Sequence, residues 1–556
     1  MSERELMQES RAAGAELRLG RYEPAVQARL ERWGAESLGR RLWGKDHTVW
    51  SARPVPELTD RLGWLKLPES MRTQAEDLSR FALEVRSDGF RDAVVLGMGG
   101  SSLAPEVFAR TYGSSNGYPA LTVLDSTHPE AVRSLMGRLD PARTLFVVSS
   151  KSGTTTETLS LFRAFWQWSA EAGRRFVAVT DPGSSLEALA RERGFRAVWN
   201  APEDVGGRYS ALTSFGLVPA ALLGVDVREV LLRARSMAEA CTGPAASNPG
   251  LILGAALGEL ALAGRDKVTF LASRGIDSLP DWIEQLVAES TGKIGRGIVP
   301  VVGERLGEPG AYGQDRFFVG LLSGDPGDDR PLETRLAALE TAGHPVARFR
   351  LSDPADLGRE MFRWEMATAA AGAVLGVNPF DQPDVQLAKE LATRAMKERS
   401  SGAPAAPADE IRASDAGPLG SALEHWLAGA GPGSYLGVHA YLPAAPETTE
   451  ILHDIQARLR DRTRLATTFG YGPRFLHSTG QLHKGGPDTG RFLQIVDEPE
   501  HDLPVPETDF TFGTLIRAQA DGDRSALEQR GRRVMRVNLG NDVARGLARL
   551  RGALGS

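Results

Sequence analysis

Between about residues 88 and 240 the chain alternates short apolar runs with helical stretches, and nothing else in it constrains the fold so tightly. Asp92 to Leu96 is an apolar run that ends in a glycine loop, and Ala104 to Arg110 is patterned as a helix. Leu121 to Leu124 with Glu130 to Gly137 repeats the pair, as does Leu145 to Val148 with Glu157 to Ala172. Phe176 to Val179 is a fourth strand. Short β-rich runs separated by helices mean βαβ units and a mainly parallel sheet.

At 556 residues the chain exceeds what one hydrophobic core supports. A second α/β unit starts near 250, with Val268 to Leu271 as its first strand and helices at about 279–293 and 382–398. Ser400 to Gly420 is rich in Ala, Pro, Ser and Gly and reads as a linker or exposed excursion. Patterning resumes with a strand at Leu436 to Leu442, a helix at Glu447 to Arg460, and a strand at Phe492 to Val496. The predicted division is a helical, Trp-rich segment over 1–75 and a first α/β domain over 76–245. A second α/β domain occupies 246–399, is interrupted by the 400–431 stretch, and is completed by 432–556.

Net charge is −6 with both signs interspersed, which argues against the basic surface that nucleic acid requires. The single cysteine, Cys241, allows no intramolecular disulfide and fits a reducing cytoplasm. The opening MSERELMQES is charged where a signal peptide needs an apolar run. Leu251 to Gly264 is the longest apolar stretch, and Glu259 makes it too short and too polar to cross a bilayer. The nine histidines show no ligand-like cluster except His477 and His483, whose spacing of six does not favour a shared helical face. No metal or cofactor is expected.

Two loops carry the chemistry. The first is Gly97-Met98-Gly99-Gly100-Ser101-Ser102, where glycines after a strand let backbone approach a ligand and the next helix offers free amides to an anion. A dinucleotide fingerprint needs Gly at 102, where Ser stands. Asp125 imitates the ribose-binding acid of that fingerprint, though a turn-capping Asp explains it as well. The second loop is Ser149-Ser150-Lys151-Ser152-Gly153-Thr154-Thr155-Thr156-Glu157. Six hydroxyl side chains and a lysine fall within eight residues at the mouth of a helix. Hydroxyls and helix-terminal amides can surround a phosphate. A solvated, helix-capping Ser/Thr loop is the plainer alternative.

The pair GMGGSSLAP and SSKSGTTTET resembles the sugar isomerase (SIS) domain, a phosphosugar-binding α/β module. Three further stretches narrow the resemblance to phosphoglucose isomerases: Gly206-Gly207-Arg208-Tyr209-Ser210, Glu289-Ser290-Thr291-Gly292-Lys293, and Asn378-Pro379-Phe380-Asp381-Gln382-Pro383, which continues at helical spacing to Lys389. The Trp-rich N-terminal segment is further similar to the isomerase half of fused transaldolase–isomerase proteins. The resemblance implies an α/β fold of two SIS-type parallel-sheet sandwiches behind the N-terminal helical segment. It also implies a glucose 6-phosphate/fructose 6-phosphate isomerase without a metal or cofactor.

By the same resemblance Glu289 carries the proton between C1 and C2, although an i, i+4 helical pair with Lys293 is its structural alternative. Arg208 stabilises the enediolate, Lys389 assists ring opening, and Gln382 contacts phosphate or sugar. Gly99, Gly100, Ser101, Ser150, Lys151, Ser152, Thr154 and Thr155 are carried over as phosphate-binding positions. The family's ring-opening histidine lies in a His-x-x-x-Gln-Leu-x-x-x-Gly stretch between the Glu and Lys motifs. Here that stretch follows the lysine, as His477-Ser478-Thr479-Gly480-Gln481-Leu482-His483-Lys484-Gly485-Gly486. We read it as a relocated block with His477 as the acid/base and His483 as the alternative. In the family this histidine comes from the neighbouring subunit, which implies a homodimer with shared sites. Rival readings are an isomerase that also takes mannose 6-phosphate, a non-catalytic sugar-phosphate sensor, and a dehydrogenase. The last is disfavoured by Ser102.

Overall fold

The computed structural model describes residues 14–400 and 410–555. Its strands are β1 (Ala15–Arg18), β2 (Asp92–Gly97), β3 (Ala120–Leu124), β4 (Thr144–Ser149), β5 (Phe176–Thr180), β6 (Ala197–Asn200), β7 (Lys267–Ala272), β8 (Val299–Val301), β9 (Arg316–Leu322) and β10 (Val346–Arg350). After these come β11 (Glu410–Arg412), β12 (Tyr435–Tyr441), β13 (Ala466–Tyr471), β14 (Gly490–Val496) and β15 (Arg533–Asn538).

The first sheet has the order β3-β2-β4-β5-β6 and is parallel throughout. Its central strand β4 is buried at every residue, as expected for a strand covered by helices on both faces. The second sheet, β1-β10-β9-β7-β8, is parallel except for β1, which runs antiparallel along β10. The parallel α/β class expected from the strand–helix alternation is therefore the architecture found.

The number of sheets is larger than expected. Residues 432–556 do not complete the second sheet. They build a third parallel sheet, β11-β15-β14-β12-β13. The physical reason is that β12 (Tyr-Leu-Gly-Val-His-Ala-Tyr) and β14 are each buried over nearly their whole length, so they need covering helices of their own. Two smaller corrections follow. The N-terminal segment is not only helical, because Ala15–Arg18 closes the edge of the second sheet. The Ala/Pro/Gly-rich stretch is not a linker throughout: Glu410–Arg412 pairs with β15, and Ala416–Leu427 is a helix. Residues 401–409 of that stretch lie outside the described residues.

One apolar core runs from Ala15 to Phe380 and unites the first two sheets. A separate core, from Ala413 to Leu554, belongs to the third. The apolar Pro249–Leu262 helix is packed inside the first of these. Among the described residues no helix is long and apolar enough to cross a membrane.

The C-terminal sheet meets the second sheet through a small apolar patch that includes Ala288, Val299, Leu482 and Phe492. Beside it lies a buried ionic network. Arg316 donates to Glu304 Oε1 at 3.0 Å and to Leu465 O at 3.3 Å, and Thr467 N donates to the same Glu304 oxygen at 3.2 Å.

Candidate active site

Glu289 sits in the last turn of the Leu279–Thr291 helix and is 7% exposed. Arg208, from the turn after β6, approaches Glu289 Oε1 with Nη1 at 3.3 Å. The guanidinium is fixed by three further acceptors: Ser290 Oγ at 2.8 Å, Pro379 O at 2.7 Å and Asp381 O at 3.0 Å. A planar fork held at several donors has little freedom to rotate away from the carboxylate. The Gly-Arg-Tyr-Ser, Glu-Ser-Thr-Gly-Lys and Asn-Pro-Phe-Asp motifs, up to 173 residues apart, thus converge on one guanidinium.

The motif lysine, Lys293, is 3% exposed and pairs with Asp381 Oδ1 at 2.7 Å. Burial, with the positive Arg208 nearby, brings its pKa down to about 7 despite that partner.

His477 arrives from the C-terminal lobe of the same chain. Gln285 Nε2 donates both to His477 O, at 2.8 Å, and to Glu289 Oε2, at 3.2 Å. Gln285 and Glu289 are one helical turn apart, so one face of a helix carries both the carboxylate and the clamp on the histidine segment. Gly99 has φ +56, and a Cβ there would stand 2.6 Å from His477 O. A Cβ on Gly100 would stand 2.0 Å from Gly207 O. The glycines of the first loop therefore serve close approach between three loops.

The imidazole of His477 is engaged at its far edge, where Nε2 meets Glu157 Oε1 at 2.9 Å. Gln519 Nε2 donates to the same oxygen at 2.8 Å, and Thr127 Oγ1 donates to Gln519 Oε1 at 2.6 Å. Glu157, Gln519 and Gln285 are positions of the candidate site that sequence reasoning did not single out. Glu157 was visible as the last residue of the hydroxyl loop. Gln519 carries no local signal, because its partners lie more than 360 residues away.

A cavity of about 250 Å³ opens beside this histidine, with Ser152, Thr154, Thr155, Glu157, His477 and Gln519 in its wall. The hydroxyl loop is internally ordered. Ser150 Oγ and Thr155 Oγ1 are 3.1 Å apart, Ser152 Oγ and Thr154 Oγ1 are 2.9 Å apart, and Gly153 N donates to Ser150 Oγ. Ser101 is buried at the neighbouring loop. Glu289 and Arg208 lie beyond Gln285 rather than in the wall of the cavity.

Three positions fit less closely. The Lys151 ammonium turns away to Asp181 Oδ2 at 2.5 Å and to Glu203 O at 3.4 Å, leaving only its backbone for the loop. Gln382 is exposed in the turn before the Val385–Ser400 helix. Lys389 belongs to that helix, four residues before the cavity residue Thr393, and its side chain lies outside the described residues. His483 is fully buried and stacked on His439, with no partner on either ring nitrogen, so the histidine beside the site is His477.

The Gly480–Gly485 helix that follows His477 is pinned to the Glu289 and Asn378 segments by Gln481 of the same motif. Gln481 Nε2 donates to Gly292 O at 3.0 Å and to Asp384 Oδ2 at 2.8 Å, and its Oε1 accepts from Asp384 N at 2.9 Å. Gly292 is a glycine because a Cβ there would stand 2.4 Å from Leu482 Cα.

The phosphoglucose isomerase family model matches residues 70–324. A glucose-6-phosphate isomerase of Rubrobacter xylanophilus is 32% identical over 386 residues, covering 60% of this chain and 89% of that one. A glucose-6-phosphate isomerase of Thermus thermophilus is 30% identical over 423 residues, covering 68% and 98%. Among solved structures, a hypothetical protein of Thermus thermophilus superposes with TM-score 0.59 at 28% identity, covering 68% of this chain and 99% of that one. A glucose-6-phosphate isomerase of Chlamydia trachomatis shares the fold, with TM-score 0.59 at 21% identity over 72% and 92%. With Glu289, Arg208 and the hydroxyl loop all inside the matched region, the chain belongs to the phosphoglucose isomerase family.

Proposed function

We propose that the chain interconverts glucose 6-phosphate and fructose 6-phosphate by opening the sugar ring and passing one proton between C1 and C2 through a cis-enediolate. The observation that carries this reading is the Gln285 amide, shared between the Glu289 carboxylate and the His477 segment. It ties the buried Glu289 carboxylate and the main chain of His477 to one helix face, which supports reading the two as parts of one site.

Glu289 takes the proton from one carbon and returns it to the other. As the enediolate forms, its negative charge is met by the fixed guanidinium of Arg208. His477 donates to and accepts from the ring oxygen during opening and closure. Glu157 behind it orients the imidazole. One proton leaves one carbon and one arrives at its neighbour, so the reaction balances without an oxidant or a metal. Ser101, Ser150, Ser152, Thr154 and Thr155 hold the phosphate, with the backbone of Lys151. Lys389 assists ring opening, and Gln382 contacts phosphate or sugar. A cytoplasmic setting and a homodimer belong to the same reading, the first supported by the lone cysteine and the second by the family resemblance. His477 and Gln285 meet within one chain, so the histidine does not have to be exchanged between subunits.

The test is turnover of fructose 6-phosphate, coupled to a reporter dehydrogenase, with EDTA present. Wild-type turnover is expected to survive EDTA. Glu289→Gln is expected to lower it by about 10³-fold or more, and His477→Ala by about 10²-fold. Sugar-phosphate binding without turnover would turn the reading towards a sensor.

A further inference from the structure

The reaction as drawn makes no use of Lys484, which lies on the short Gly480–Gly485 helix and is 3% exposed. It stands in the wall of the same cavity as the hydroxyls of Ser152, Thr154 and Thr155. Its ammonium donates to Asp523 Oδ1 at 2.6 Å and to Gly480 O at 3.4 Å. An ammonium has three N–H donors, so one remains for a molecule in the cavity. Gly480 also lines the cavity, and a Cβ there would come within 3.7 Å of the ammonium nitrogen. The glycine leaves the approach to that nitrogen uncrowded.

The other end of the pair is sealed. Asp523 Oδ2 stands 3.6 Å from His439 Nδ1. His439 stacks on His483 at 4.7 Å and on Phe475 at 4.1 Å. None of the four ring nitrogens has a hydrogen-bond partner. Burial holds both imidazoles below the usual histidine range, and the charge of Lys484 adds to this, so both are neutral at pH 7. Burial raises the Asp523 carboxyl, but the Lys484 ammonium outweighs it and holds the group below the usual carboxylate range. The result is a buried ion pair with its negative end against neutral rings and its positive end at a cavity. Fixed polar groups of this kind act strongly because they need no reorganisation when a ligand arrives.

Among the described residues in the cavity wall, Lys484 is the only lysine or arginine. Lys151 is committed to Asp181, and Arg208 to the Glu289 side. Glu157 adds negative charge to the same wall, which an incoming anion must overcome.

We propose that Lys484 binds the phosphate group of the hexose phosphate, closing the hydroxyl loop from the C-terminal lobe. The assignment rests on the reading of the cavity as a sugar-phosphate site, and its test does not depend on turnover. Lys484→Met alone would leave Asp523 buried without its counter-charge, so the double variant Lys484→Met/Asp523→Asn carries the experiment. Calorimetric titration with inorganic phosphate is expected to show affinity lowered roughly 10- to 100-fold in the double variant, the scale of one charge-assisted hydrogen bond. Lys484→Arg is expected to retain most of the affinity. With fructose 6-phosphate, KM is expected to rise by the same factor, with kcat within about threefold.

Unchanged phosphate affinity in the folded double variant would overturn the proposal and leave the pair a purely structural one. Loss of phosphate affinity in a protein that never turns fructose 6-phosphate over would uphold Lys484 and overturn the isomerase reading instead. A third arm needs no variant. Wild-type crystals soaked in fructose 6-phosphate are expected to place a phosphate oxygen within about 3.2 Å of Lys484 Nζ. A phosphate bound in the loop but beyond hydrogen-bond reach of that nitrogen would refute the contact.

Discussion

The two N-terminal sheets and the C-terminal sheet are stabilised differently. The first two share a single apolar core that runs through the N-terminal segment and ends at Phe380. The third is closed around its own Leu- and Val-rich interior. It meets the rest through a small apolar patch at the second sheet, through Val505 and Phe512 buried in the outer core of the first sheet, and through polar clamps: Gln481 on Gly292 and Asp384, Gln285 on His477, and Arg316 on Glu304 and Leu465. The candidate chemical groups divide along the same line. Glu289, Arg208 and the hydroxyl loop come from the N-terminal body, while His477 and Lys484 come from the lobe. Each of these two cores is built from one part of the chain, whereas the site exists only where the two bodies are held in register.

That contrast can be broken most directly inside the lobe. Leu493 on β14 is fully buried in the C-terminal core, and Leu493→Ala is expected to cost about 2–5 kcal/mol. Hydrogen exchange should show protection lost over 410–555 while β2 to β6 keep theirs. Equal loss in all three sheets would mean one cooperative unit. A smaller effect is expected at the junction. Gly292→Ala forces a Cβ into the space of Leu482 Cα. It is expected to cost about 1–3 kcal/mol of stability and to lower kcat about 10- to 100-fold, because the Gly480–Gly485 helix shifts against Glu289. Loss of stability with full turnover would show that register at this contact does not matter to the chemistry.

The smallest effect is a pH dependence on the body side. The folded pKa of Lys293 is about 7, against 10.5 as an ordinary lysine. Between those values the unfolded chain binds the proton and the folded chain does not, so stability rises with pH across that window. The penalty is full below pH 7. Urea midpoints of wild type and Lys293→Met, compared at pH 6 and pH 10, should show wild type gaining on the variant as pH rises. A constant difference would mean that burial does not govern this lysine.

Much of this was legible in the residues. The strand–loop–helix alternation placed β2 to β5 and their helices almost where they stand, because buried parallel strands must be continuous apolar runs. The motifs at Arg208, Glu289 and Asn378 announced a common site, and the displaced His477 segment was legible as a motif out of order. Less was legible where the partner is distant. Nothing near Gln519 or Gln285 marks them as holding Glu157 and His477. The third sheet was hidden because β12 and β14 read equally well as the end of a second one.

The sequence by itself determined that β2 to β5, β7, β12 and β14 are strands, that the strands are mainly parallel, and which residue types could handle a sugar phosphate. These follow from periodicity and from chemistry carried by single short segments. The tertiary structure alone decided that residues 410–555 close on their own core, that His477 reaches Gln285 from within the chain, and that Lys484 faces the cavity with Asp523 behind it. Those facts depend on which surfaces bury one another across hundreds of residues, and no local pattern encodes that choice.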